Sequence, residues 1–183
     1  MAVFQIKPRP AMATLVRVLT IWTGKNTARL LYDSTVDEFT ADGFFEKVRC
    51  KPNIAVVGFT SRDDVFGAFH SVAVAERDRE VKDPTVFVFS FESHGRCATP
   101  KMFTLNPVVK WKEAVCLCTG GRDGSHGFLK VSNPQAGCEV FLGTPKHQTC
   151  CHDTRKCFEG LDDTTLTRSV FYRCTRVLAV QMD

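Results

Sequence analysis

Tryptophan and tyrosine are scarce in this 183-residue chain, two of each, whereas phenylalanine is over-used at 15. Phenylalanine carries no polar handle, so most of its rings belong in a core. No segment reaches the roughly 20 continuous apolar residues that a membrane-spanning helix needs. The nearest, Ala11 to Trp22, is interrupted by Thr14, Arg17 and Thr20, and no small-residue cleavage site follows it, which argues against a signal peptide. The expectation is a soluble, intracellular protein, cytoplasmic or nuclear. Internal repeats and low-complexity tracts are missing as well.

Catalytic signatures are also lacking. The chain contains neither a GxSxG nucleophile elbow nor an HExxH helix. Gly120-Gly121-Arg122-Asp123-Gly124 looks at first like a phosphate loop, but it falls between two expected strands and has no Lys-Ser/Thr pair. A turn explains it, because glycines supply the positive φ angles that strand reversals need. Asp63-Asp64 and Asp162-Asp163 read as solvated turn residues, and a calcium site would need more oxygen ligands at fixed spacing. His70 lies in an expected strand; His94 and His126 sit beside glycines in expected turns. Neither an enzyme nor a bound cofactor is expected.

Charge excludes little. The net charge is +4, from 24 Lys+Arg against 20 Asp+Glu, and the pI of about 8.6 falls short of the roughly 9 and the clustered basic face of a nucleic-acid footprint. The basic residues that could serve one are the arm Lys7 and Arg9, then Lys101, Lys110, Lys112, and the series Arg168, Arg173, Arg176.

Nine cysteines is the unusual count. Without a secretory signal, an odd number reads as reduced thiols rather than a disulfide framework. His147, Cys150, Cys151, His152 and Cys157 cluster, and zinc takes tetrahedral N/S ligands from such sets. Their spacing is poor for zinc, however, since the chain has no CxxC at all. The competing reading is a polar loop with incidental thiols. Reversible oxidation of Cys150, Cys151 or Cys157 is a third, governed by exposure and thiolate character.

At this length one domain is the default. Residues 1–13, with Pro8 and Pro10, read as an arm, and residues 14–183 as a single domain. Leu15, Val18, Leu19 and Trp22 have helical spacing, with a strand as rival because of the β-branched residues among them. A short strand over 29–33 precedes a helix capped by Thr40, with Asp42 in its first turn, Phe39 and Phe44 at staple positions, and Phe45 and Val48 on the buried face. Asn53–Phe59 and Val65–Val74 form a hairpin about the turn Ser61–Asp64. Glu76–Asp83 is a charged loop. Thr85–Phe91 puts Phe87, Phe89 and Phe91 on one face and Val86 and Val88 on the other, the pattern of a central strand. Shorter strands follow around Met102–Leu105, Ala114–Cys118, Gly127–Val131 and Glu139–Leu142, and a long one closes the chain over Val170–Met182. Many strands with few helices imply a mainly β (α+β) fold, a two-sheet antiparallel β-sandwich flanked by a few short helices.

The segment Leu30–Phe91 carries a resemblance. Leu31-Tyr32, the helix Phe39–Cys50, Val65-Phe66-Gly67-Ala68-Phe69 with Ser71, and the Asp83-led strand ending Phe89-Ser90-Phe91 are similar to the TLDc domain pattern. Gly120-Gly121 and the closing Phe171–Met182 strand match more loosely. The family-motif residues are therefore Phe66, Gly67, Phe69, Ser71, Asp83, Gly120 and Gly121. Two departures stand out: Ala73-Val74-Ala75 where the family often has Trp, and Val177–Val180 where its last strand usually bears an acid. The resemblance implies a sandwich, a part in protection from oxidative damage, no established catalytic set, and a protein partner, in several members the vacuolar proton ATPase. The function expected is thus a non-enzymatic interaction module. Its alternatives are a nucleic-acid-binding regulator of stress genes and a thiol-based antioxidant.

Overall fold

A computed structural model describes residues 12–76, 80–107, 115–116, 127–133, 138–143, 149–152, 157–169 and 171–183. The arm 1–11 and the turn bearing Gly120 and Gly121 lie outside them. The described elements are helices α1 (Met12–Thr23) and α2 (Ala41–Val48), and strands β1 (Ala28–Asp33), β2 (Ile54–Thr60), β3 (Val65–His70), β4 (Glu80–Val81), β5 (Phe87–Glu92), β6 (Lys101–Thr104), β7 (Val115–Cys116), β8 (Gly127–Asn133), β9 (Cys138–Gly143), β10 (Thr149–His152), β11 (Phe171–Tyr172) and β12 (Cys174–Met182). The fold is mainly β, as expected. Two six-stranded sheets form, ordered β1-β12-β2-β3-β5-β6 and β11-β10-β9-β8-β7-β4, and every strand pairing is antiparallel.

The first sheet is apolar on both faces, and each face has its own cover. One face carries Ala55, Val57, Phe59, Val65, Phe69, Phe87, Phe89, Phe91, Leu178, Val180 and Met182 beneath Leu15 and Leu19 of α1. Periodicity wins over β-propensity in α1, because Leu15 and Leu19 one turn apart are both buried, with Val18 and Trp22 beside them. Trp22 meets Phe89 at 5.6 Å between ring centres, and Phe69 stacks on Phe87 at 5.1 Å. The other face carries Val56, Phe66, Ala68, Val86, Val88, Val177 and Ala179 against α2 (Phe44, Val48), Val131 of β8 and Tyr172 of β11. β5 therefore divides as its alternation requires, phenylalanines toward α1 and valines toward the second sheet.

Thr40 caps α2 from extended backbone, its hydroxyl accepting from the Gly43 N–H at 3.1 Å, and Phe44, Phe45 and Val48 are buried. Beyond β6 the chain returns at Phe158, bridged to Leu105, so that the Glu159 N–H donates to the Thr104 carbonyl at 2.9 Å and covers that edge.

Four expectations need correction. The strand expected to run to Val74 stops at His70, because the Asp83 carboxylate takes the Ser71 N–H at 2.5 Å and the Val72 N–H at 3.4 Å, out of the ladder. The charged loop contains β4, paired with β7. The closing strand is two strands. Phe171–Tyr172 pairs with β10 in the second sheet, whereas Cys174–Met182 lies in the first, between β1 and β2. Thr149–His152 is a strand rather than a polar loop, held between β9 and β11. A run reading Thr-Cys-Cys-His offers no apolar alternation by which to detect it.

Gly67 sits where β2, β3 and β5 pass closest. A Cβ there would stand 2.0 Å from the Val56 carbonyl oxygen and 2.7 Å from the Phe89 ring. Both neighbours are held in sheet pairs, so neither can yield cheaply. Gly67→Ala should lose about 3 kcal/mol or more of stability by urea unfolding, at the upper end for overpacking. A change below about 1 kcal/mol would show that the sheet relaxes there.

Candidate functional site

Among the described residues, those carrying the family resemblance hold the fold together. Phe66 faces the second sheet, where its ring meets Tyr172 edge-on at 4.9 Å, and Phe69 lies under α1. Ser71 and Asp83 form a polar knot with Thr85. Besides the two backbone N–H groups already named, the Asp83 carboxylate accepts from the Ser71 hydroxyl (3.1 Å) and from the Thr85 N–H (2.9 Å) and hydroxyl (2.7 Å). Asp83 is fully buried. Burial alone would raise its carboxyl pKa, but the bonds from Thr85 and Ser71 outweigh it and hold the group below the usual carboxylate value. These acceptor sites are all engaged by the chain's own donors.

Two more buried acids are engaged by the chain's own donors. Asp33 takes the Arg176 guanidinium through Nε at 3.0 Å and through a second, shorter bond, and accepts from the Thr35 N–H and hydroxyl at 3.0 and 2.8 Å. Arg176 foremost, then Thr35, lowers its carboxyl to about 2 against the opposing effect of burial. The Arg176 guanidinium also lies 5.4 Å from the centre of the Phe59 ring. Asp64 takes Arg96 at 2.6 Å, and Arg96 reaches on to the Thr165 and Leu166 carbonyls. Asp64 was read as a solvated turn residue; it is buried because Arg96 folds over it.

His70 is fully buried at the end of β3. Its Nδ1 donates to the Val72 carbonyl at 2.8 Å, while Nε2 has no hydrogen-bond partner among the described residues. Burial keeps the imidazole below its ordinary 6.5, opposed by the Val72 bond and the Asp83 charge.

The cysteine–histidine candidates are not brought together as one described set. His147 lies outside the described residues. Cys150, Cys151 and His152 occupy successive positions on β10, opposite Phe171, Val140 and Glu139 respectively. Cys157 is buried and disulfide-bonded, which corrects the expectation of uniformly reduced thiols. An odd count leaves at least one cysteine unpaired but allows pairs beneath it, and Cys50, Cys97 and Cys174 are free. Burial pushes the Cys174 thiol up to about 12, so it does not supply a thiolate.

The basic series divides as well. Arg176 is engaged by Asp33 and Lys101 lies over the Phe103 ring at 5.0 Å, while Arg168 and Arg173 are exposed. Sequence reasoning missed the place that Arg173 occupies. It joins Arg62, Thr60, Ser61, Phe171 and Tyr172 around a cleft of about 190 Å³, at the point where the chain leaves one sheet for the other. The signal available was an aromatic pair flanked by arginine inside an otherwise apolar closing strand.

Two outcomes follow from this geometry. Arg176→Ala strands the Asp33 carboxylate, and because the pair is only partly shielded the loss should be about 2–3 kcal/mol in chemical unfolding. An unchanged midpoint would show the pair to be idle. For His70, both folded and unfolded chains are neutral well above 6.5. Below it the unfolded chain binds a proton that the folded chain refuses, so stability falls as pH drops. Thermal melting from pH 7.5 to 5.5 should show that slope, and His70→Asn should flatten it. A slope that survives the substitution assigns it elsewhere.

No helix among the described residues is long and apolar enough to cross a membrane. A search of curated proteins returned no match. The sequence model of the TLDc domain matches residues 9–164, most of the chain. With that span matched, the chain belongs to the TLDc domain family.

Proposed function

We propose that this protein is a non-enzymatic interaction module of the oxidative-stress response, working in the cytoplasm or nucleus through a protein partner, with a vacuolar proton ATPase subunit as first candidate. One observation carries the reading. The buried acids that an enzyme could use, Asp33, Asp64 and Asp83, are bound to Arg176, Arg96 and the Ser71–Thr85 knot, so their chemistry is directed inward to the fold. What the surface offers instead is contact area. Ile21, Leu30, Val36 and Phe171 are large apolar side chains exposed by half or more, and such groups gain free energy when a partner covers them. Family membership supplies the link to oxidative stress, and TLDc domains are interaction modules in general.

Affinity capture from peroxide-treated cells, with the chain as bait, should enrich one defined protein over a heat-denatured preparation of the same bait, a proton-pump subunit being the named expectation. Recovery of nothing specific removes the module reading, and recovery of an unrelated partner removes the pump. In parallel, the purified protein should consume hydrogen peroxide no more slowly after thiol alkylation than before; a marked loss on alkylation would favour the antioxidant reading.

A further inference from the structure

We infer that the cleft between Arg62 and Arg173 is a docking site for an acidic segment of a partner protein, one carboxylate side chain entering between the guanidinium groups and a neighbouring apolar side chain covering Phe171. The inference rests on the module reading and adds to it the chemistry of the partner.

The backbone beneath the cleft is fixed. The Ser61 N–H donates to the Arg173 carbonyl at 2.9 Å, tying the β2–β3 turn to the crossing between sheets. Within the turn, Thr60 Oγ1 accepts from the Arg62 and Asp64 N–H groups at 3.2 and 3.1 Å, and the Thr60 carbonyl accepts from Asp63. The Thr175 hydroxyl binds the Phe59 carbonyl at 3.1 Å on the other side. Arg62 and Arg173 are thus presented from a braced frame, which lowers the entropy cost of holding them for a ligand.

Their side chains differ from three other arginines of the chain. Arg176, Arg96 and Arg29 each reach an internal acceptor, namely Asp33, Asp64 and the Gln181 amide oxygen at 2.5 Å. Arg62 and Arg173 are exposed and make no side-chain hydrogen bond or ion pair among the described residues. A guanidinium fork matches a carboxylate in shape and charge. Phe171 forms part of the wall and is 53% exposed, a large apolar area next to the two charges.

Size selects the occupant. At about 190 Å³ the cleft is below the roughly 300–1,000 Å³ of small-molecule pockets and suits a side chain. Two arginines are also fewer than the clustered basic face that a nucleic acid needs. An acidic residue beside an apolar one meets both features at once.

The test uses the full chain, labelled with nitrogen-15 and titrated with a blocked hexapeptide of alternating glutamate and leucine. The controls are the same peptide with glutamine for glutamate, and an oligothymidine single strand. Amide shifts should concentrate at 60–63 and 171–175. The glutamine peptide should bind about tenfold more weakly or worse, and so should the acidic peptide to an Arg62→Gln/Arg173→Gln double variant that melts like wild type. Equal binding of the glutamine peptide, shifts centred elsewhere, no shift at millimolar peptide, or tighter binding of the oligothymidine each overturns the assignment. A double variant that melts many degrees lower overturns it too, since the arginines would then be holding the fold. Repeating the affinity capture with the double variant separates the two readings. A partner retained by wild type and variant alike leaves the module intact and discards the cleft, whereas no partner for wild type discards the module while the titration still judges the cleft.

Discussion

A sheet with no wet side is the constraint from which the rest of this structure follows. Once β2, β3, β5 and β12 are apolar on both faces, something must cover each, and α1 on one side with α2 and the second sheet on the other are those covers. The middle of β3 is Gly67, seated against Val56 and Phe89 with no room for a methyl group. Three carboxylates that cannot avoid this interior are bound where they stand, Asp83 by Ser71 and Thr85, Asp33 by Arg176 and Thr35, Asp64 by Arg96.

Those acid sites also explain how a motif can be diagnostic of a fold. Ser71 and Asp83 end one strand and launch another; Phe66 and Phe69 supply one ring to each core. A sequence pattern made of such residues reports the architecture. Arg173 and Phe171 lie beyond the matched span of 9–164 altogether.

Much of the architecture was legible because its signals are local. Thr40 announces α2 through its cap, and Phe87, Phe89 and Phe91 announce a two-faced strand through alternation. What escaped reading depends on partners far along the chain. His70 ends β3 because of an acid 13 positions later, and the break at Arg173 exists because neighbouring residues join different sheets. β10 has no apolar period, so only its pairing with β9 and β11 defines it. The cleft was the least legible feature, since it joins a turn at Ser61 to a crossing at Arg173 that no spacing rule connects.

The insertion of β12 between β1 and β2 has a consequence for how the protein is made. Leu30 pairs with Val180 and Ala55 pairs with Val180 from the other side, so β1 and β2, successive strands in sequence, are joined only through β12, a strand far later in the chain. Contacts of such sequence separation slow folding, because loop closure must be met before any pairing rewards it. During translation β1 and the free flank of β2 are open edges, and open apolar edges invite association with other chains. Until β12 has been made, the principal sheet cannot close, and those edges stay open.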